Sequence, residues 1–257
     1  MTWLDALILG AVEGITEFLP VSSTAHLVLT ADLLNITRTP ALEAFEVIVQ
    51  WGAILAVLFL YRRTLVENFS FSLWFKLGVA FVPTGLAGLL LYSWIKSFFT
   101  PLATVILMAV TGAVFIIIER FYQEKEHHLE NAEDLPVGKA FGVGVAQTFA
   151  LLPGVSRSGA TIVGGLLLGM KRKAAVEFSF LLAVPTMTVA AAYEIYKGWG
   201  ELSVESWEAT GLGLLAAFLF AVLAIKGFLA FISRFSFVPF GIYLILSAGI
   251  YFWVVLA

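Results

Sequence analysis

Cysteine is absent from the 257 residues, which excludes disulfides, thiolate nucleophiles and zinc–thiolate centres, so packing alone must hold the fold. Charge is scarce as well. Lys and Arg number 15 and Asp and Glu 18, together 13% of the chain, against about 25% in an ordinary soluble domain. With a net charge of −3 there is no basic excess of the kind that carries a nucleic-acid footprint, and no nucleic-acid partner is expected. The N-terminus lacks the basic region and small-residue cleavage site of a secretory signal. Asp5, Glu13 and Glu17 interrupt its apolar run, so it reads as part of the mature chain.

What fills the sequence is apolar surface, at 60% of all residues. A membrane span needs about 20 mostly apolar residues. Uncharged runs cover residues 47–61, 77–95, 101–118, 178–193, 209–225 and 235–257, each a candidate transmembrane helix. Two further apolar segments are interrupted: residues 3–36 at Pro20, and residues 140–170 at Pro153-Gly154. An arm of about 15 residues reaches only about 22 Å, short of a hydrocarbon core of about 30 Å. Each pair of arms therefore either folds back as a re-entrant hairpin or crosses once as a broken helix.

Basic residues accumulate on the cytoplasmic side of membrane proteins, and their count separates the two readings. With both pairs folded back, and with Arg157 and Lys226 set aside, ten basic residues lie on one side (Arg62, Arg63, Lys76, Arg120, Lys125, Lys139, Lys171, Arg172, Lys173 and Arg234) and three on the other (Arg38, Lys96 and Lys197). With both pairs crossing, the split falls to seven against six, which carries no orientation. The sequence thus predicts an all-α polytopic membrane protein, six transmembrane helices plus two re-entrant helical hairpins in one integral membrane domain. Halves 1–122 and 138–257, joined by the charged loop 123–137, form an inverted-topology repeat, because each half carries an odd number of spans. An echo supports the repeat: Phe18-Leu19-Pro20 with Ser22-Ser23-Thr24-Ala25 resembles Leu151-Leu152-Pro153 with Ser156-Arg157-Ser158-Gly159, at an offset of 133 to 134 residues. Both termini are expected outside, with the first hairpin dipping in from the outer face and the second rising from the cytoplasmic face. Inverted repeats with broken helices place binding sites near the bilayer midplane, so function is expected at the two breakers.

Glu13 and Glu17 stand four residues apart and share a helical face; intramembrane acids are functional sites by default. After Pro20, the hydroxyls of Ser22, Ser23 and Thr24 mark a helix start, a position that attracts anions. His26, about one turn further, is the only histidine in an apolar segment and suits base, acid or phosphate-donor chemistry. His127 and His128 read as solvated surface, and Glu46 and Glu177, at similar places in the two halves, as structural or as supports behind the site residues. At the second breaker Arg157 offers a planar fork for phosphate oxygens, flanked by Ser156 and Ser158, with Gly154 and Gly159 allowing close backbone approach. Its plainer reading is an ion pair with Glu13 or Glu17.

The run Glu13-Gly14-Ile15-Thr16-Glu17-Phe18-Leu19-Pro20-Val21-Ser22-Ser23-Thr24-Ala25-His26, together with Pro153-Gly154-Val155-Ser156-Arg157-Ser158-Gly159-Ala160-Thr161, resembles the bacterial undecaprenyl-diphosphate phosphatase family, also called bacitracin-resistance proteins. Ala25 stands where glycine is more usual. The resemblance implies a cell-membrane hydrolase that removes the terminal phosphate of undecaprenyl diphosphate and recycles the carrier for peptidoglycan synthesis. Its active site would fall on Glu13, Glu17, Ser22, Ser23, His26, Ser156 and Arg157. On this reading Glu17, Ser23, His26 and Arg157 are catalytic. Ser22, Thr24, Gly154, Ser156, Ser158 and Gly159 bind substrate, and Glu13 with Glu17 holds Mg²⁺ or Ca²⁺. Ser23 attacks phosphorus in one version and water attacks directly in the other. The expected partners are the polyprenyl diphosphate and membrane lipids, with a homodimer left open. The contrasting reading is a secondary transporter or lipid flippase built on the same repeat plan.

Overall fold

The computed structural model describes residues 1–197 and 207–256. The Lys197 side chain, counted above among the basic residues, and Ala257, the end of the last apolar run, lie outside what is described. Among the described residues the chain is helical with no strand: α1 (Trp3–Thr16), α2 (Ser23–Leu33), α3 (Pro40–Leu60), α4 (Phe71–Leu90), α5 (Tyr92–Lys96), α6 (Pro101–Phe121), α7 (Val137–Thr148), α8 (Arg157–Leu167), α9 (Arg172–Lys197), α10 (Trp207–Ile232) and α11 (Val238–Leu256). Capping residues set the starts. Thr2 and Asp5 form a capping box on α1, and Thr39, Ser70, Thr100 and Ser156 each accept a backbone N–H at the first turn of α3, α4, α6 and α8. In α3 and α6 a proline follows the cap, where its missing N–H costs nothing.

Among the described residues, five helices are long and apolar enough to cross a membrane: Pro40–Leu60, Phe71–Leu90, Pro101–Phe121, Arg172–Tyr196 and Trp207–Ile232. The last apolar run falls on Val238–Val254, a shorter apolar helix, as is Val137–Leu151. Apart from the five-residue α5, helix lengths run 14, 11, 21, 20 and 21 residues, then 12, 11, 26, 26 and 19. Among the described residues, two arms of 11 to 14 residues followed by three helices of 19 to 26 residues thus occur twice. In both cases the short arms pack against each other, α1 on α2 and α7 on α8, as a fold-back requires.

Two compact units make up the chain. The first comprises Met1–Leu19, Ser23–Phe69 and Ala183–Gly227; the second comprises Pro20–Ser22, Ser70–Leu182 and Phe228–Ala257. Each therefore draws helices from both halves of the sequence. In the first unit α1 crosses α10 so closely that a β-carbon on Gly10 would stand 2.2 Å from the Gly213 carbonyl oxygen, and one on Gly14 would stand 2.4 Å from that of Ala217. In the second unit α7 crosses α4 in the same manner, with a β-carbon on Gly144 meeting the Ala80 carbonyl oxygen at 2.0 Å. Small residues are what let membrane helices approach this closely. The pair Gly10/Gly213 maps onto Gly144/Ala80 by shifts of 134 and 133 residues, the offset of the sequence echo. The first hairpin's leading arm is thus clasped by a helix of the second half, and the second hairpin's by a helix of the first half.

At the end of α6, Arg172 grips Glu119 through two hydrogen bonds of 3.0 and 2.6 Å, and Glu119 also accepts the Phe237 backbone N–H at 3.0 Å. The connecting loop closes over this node. Tyr122 donates to the Met170 carbonyl at 2.7 Å, with its phenol pushed up to about 12, first by burial. Lys171 pairs with Glu130, whose carboxyl this hydrogen bond holds below its ordinary value. His127 and His128 lie in the same loop, ring against ring.

Candidate active site

The first hairpin keeps its acids on one face because helical geometry continues past the end of α1. Glu17 has φ −63° and ψ −41°, and its N–H donates to the Glu13 carbonyl. Glu13 is fully buried and Glu17 is 9% exposed. The turn that follows ends on Ser22 at φ 67°, a left-handed conformation that costs a non-glycine residue roughly 1–2 kcal/mol. That reversal starts α2 at Ser23 and brings its hydroxyl back onto the preceding arm, where Ser23 Oγ donates to Glu17 Oε2 at 2.5 Å. A serine hydroxyl bonded to a carboxylate is the pairing an activated oxygen nucleophile requires. His26 is half-buried three residues further along α2, Ser22 is buried and Thr24 is exposed.

The second hairpin turns on Gly154 at φ 88°, and α8 begins at Arg157 with Ser156 as its cap, accepting the Gly159 N–H at 3.1 Å. Ser156 and Ser158 share a hydrogen bond of 3.0 Å and are both buried. Gly154 and Gly159 face α6: an added β-carbon would stand 2.3 Å from the Thr104 carbonyl oxygen and 2.9 Å from the Phe115 ring. Packing against α6 thus gives both glycines a reason of their own. Arg157 Nη1 donates to the Ser179 carbonyl at 3.0 Å. Thr161, one turn along α8, shares a 2.7 Å hydrogen bond with the Ser179 hydroxyl.

Ser179 escapes a reading by sequence because it is one of several scattered hydroxyls inside an uncharged apolar run, with Thr186 and Thr188 further along. Gln147 and Thr84 escape it likewise, although both are buried and Gln147 donates to Thr84 at 2.9 Å. A polar residue within a span is the one available signal, since buried polar groups must find partners. Glu46 pairs with Arg38 at 3.4 Å and Glu177 with Lys173 at 3.9 Å. A cavity of about 290 Å³ opens beside the start of α1, lined by Thr2, Asp5, Asn35, Thr39 and Thr210 among others, and none of the motif residues lines it.

For a divalent cation, Glu13 and Glu17 supply hard oxygen donors one turn apart. Among the described residues no group of three or more His, Asp or Glu side chains is placed to hold a metal. That donor set fits Mg²⁺, which is commonly held by one or two carboxylates with substrate phosphates completing the shell, and does not amount to an all-protein cage.

Helices of membrane-spanning length, with buried carboxylates and hydroxyl-lined helix starts at two breakers, define a multi-pass membrane protein with polar sites inside it. The chain belongs to the family described as "Bacitracin resistance protein BacA", whose model matches residues 6–250. It is 53% identical to the undecaprenyl-diphosphatase of Persephonella marina over 98% of this chain and 99% of that protein. It is 50% identical to that of Wolinella succinogenes, covering 98% and 97% of the two chains, and 48% identical to that of a Sulfurihydrogenibium species, covering 98% and 99%.

Proposed function

We propose that this chain is an undecaprenyl-diphosphate phosphatase, hydrolysing undecaprenyl diphosphate to undecaprenyl phosphate and inorganic phosphate and so returning the lipid carrier to cell-wall synthesis. The full-length relatives that bear this enzyme's name support the substrate. The observation that carries the chemistry is the 2.5 Å hydrogen bond from Ser23 Oγ to Glu17. Ser23 Oγ attacks the terminal phosphorus as its proton passes to Glu17. The bond from that phosphorus to the bridging oxygen breaks, leaving undecaprenyl phosphate and a phosphoserine. Water then attacks the phosphoserine, the Ser23 Oγ–P bond breaks, and a proton returns to Ser23. His26 serves as the second proton carrier. Arg157 and the N–H groups at the starts of α2 and α8, with Ser22, Thr24, Ser156, Ser158 and the Gly154 and Gly159 backbone, hold phosphate oxygens. Phosphoryl transfer relies mainly on positioning and charge stabilisation. A divalent cation held by Glu13 and Glu17 would neutralise charge on the diphosphate.

The fold reading we attach to this function is six spans and two re-entrant hairpins in an inverted repeat of residues 1–122 and 138–257. It is supported by the doubled order of helix lengths and by the exchanged crossings of α1 and α7. In the bacterial cytoplasmic membrane, the ten-to-three bias in basic residues supports outer termini and a first hairpin that opens outward, so that phosphate is released outside.

Phosphate release from undecaprenyl diphosphate by the purified protein in detergent tests the enzyme, and its absence would leave a transporter. Trapped phosphoserine at Ser23 tests the nucleophile; turnover without it favours direct attack by water. For orientation, a cysteine at Thr2 should react with a membrane-impermeant thiol reagent in intact cells and one at Asn68 should not. The reverse pattern would overturn the topology.

A further inference from the structure

We propose that Ser179 on α9 is a positioning residue for Arg157: it fixes the direction in which the guanidinium faces its anion. This rests on the reading of Arg157 as a phosphate-holding group. Two contacts converge on Ser179, which is fully buried. Its carbonyl oxygen accepts from Arg157 Nη1 at 3.0 Å. A carbonyl has two lone pairs, so it can take this bond in addition to one from its own helix. Its hydroxyl pairs with Thr161 Oγ1 at 2.7 Å, and Thr161 Oγ1 lies 3.0 Å from the carbonyl oxygens of both Arg157 and Ser158. Thr161 is 1% exposed.

The geometry of this triangle gives it a function beyond filling space. Arg157 is the first residue of α8, the point at which a helix frays most readily. Its side chain is long and has many rotamers to lose. The Ser179–Thr161 bond sets the rotation and height of α8 against α9. That register puts the Ser179 carbonyl opposite Nη1, and the carbonyl then orients the fork's plane. A guanidinium recognises phosphate by the direction of its N–H bonds as much as by its charge, and a displacement of about 1 Å at such a group can cost about a hundredfold in rate. Ser179 touches neither substrate nor reacting atoms in this scheme and acts only through Arg157.

The test uses the full-length protein in detergent, with phosphate release from undecaprenyl diphosphate as the readout and thermal unfolding as the control for folding. Ser179→Ala keeps the carbonyl and loses the hydroxyl; kcat/KM should fall about tenfold. Thr161→Val should cause the same loss, and Thr161→Ser, which restores the hydroxyl, should recover most of it. If Ser179→Ala does not fold, the Thr161 pair carries the test. The discriminating measurement is the combination with Arg157→Lys: Ser179→Ala/Arg157→Lys should be no slower than Arg157→Lys alone, because the fork that Ser179 orients is already gone. A further fall in the double variant equal to that in the single one overturns the proposal, since it would mark a general structural loss. Wild-type turnover in both Ser179→Ala and Thr161→Val overturns it as well. Unimpaired Arg157→Lys would instead remove the phosphate-holding reading on which it rests.

Discussion

Gly10 lies against the Gly213 carbonyl in the first hairpin much as Gly144 lies against that of Ala80 in the second. One turn further along each arm the resemblance stops. Glu13 is a buried carboxylate, whereas its counterpart at the same offset, Gln147, is an amide that donates to Thr84. The divergence continues beyond the breakers, where Ser23 turns back onto an acid and Arg157 is held by a main-chain carbonyl. A crossing of backbone on backbone asks of its residues only that they be small, so one frame can be used twice while the polar positions change independently. On the proposed mechanism the first hairpin would thereby supply the groups that move protons and attack phosphorus, and the second an arginine beside two hydroxyls that are bonded to each other.

The sharpest way to break this division of labour is Ser23→Ala. If the first hairpin carries the nucleophile, turnover should fall by at least about a thousandfold, roughly 4 kcal/mol of barrier, while the protein unfolds at its usual temperature. A loss of tenfold or less in phosphate release would mean that the hydroxyl only assists binding.

The shared frame is tested by Gly10→Ala and Gly144→Ala. Either methyl group would stand 2.2 Å or less from a carbonyl oxygen of the facing helix, so the crossing must open. The cost is about 3 kcal/mol in each case, read as a fall of about 10 °C in the unfolding midpoint. Gly78→Ala on α4 and Gly211→Ala on α10 are the controls, since a β-carbon there meets nothing within 4 Å. A helix-interior alanine should leave stability equal or raise it by about 0.5–1 kcal/mol. Equal losses at positions 10 and 144 sharpen the equivalence of the two hairpins; a loss at only one dissolves it.

Arg157→Lys probes what the second hairpin contributes. The charge stays and the fork goes, so kcat/KM should drop by at least about tenfold, or 1.4 kcal/mol. Near wild-type turnover would reduce the second hairpin to a scaffold.

Much of this was legible in the residues because local rules dictate it. Pro20 and Pro153-Gly154 end their arms wherever the rest of the chain lies, Thr39-Pro40 and Thr100-Pro101 announce their helices, and a four-residue spacing keeps Glu13 and Glu17 together. What stayed hidden depends on distance along the chain. The bond from Ser23 to Glu17 spans a six-residue interval whose outcome is set by the left-handed turn at Ser22. The crossing of α1 with α10 joins residues about two hundred positions apart, and small residues give no sign of which helix they will meet. Ser179, between Phe178 and Phe180, looks like span until Arg157, 22 positions earlier, is seen to reach its carbonyl. The five-residue α5 after Leu91 and the π-helical turn at Arg63–Glu67 also went unannounced.

The smallest effect should come from Thr84→Val, which examines the quiet counterpart of Glu13. Valine matches threonine in shape, so packing on α4 is kept and only the hydroxyl is lost. That hydroxyl accepts from Gln147 Nε2 at 2.9 Å and donates to the Gly144 carbonyl at 3.2 Å. Removing one member of a buried hydrogen-bonded set costs about 1 kcal/mol or somewhat more, because its partners stay out of water. The unfolding midpoint should therefore slip by a few degrees. Phosphate release at a temperature where the variant remains folded should be unchanged, since in this scheme Gln147 and Thr84 secure the arm of the second hairpin and take no part in the reaction. A drop in kcat with stability intact would place Gln147 among the groups that act on substrate, and would make the two hairpins more alike in chemistry than their residues at positions 13 and 147 suggest.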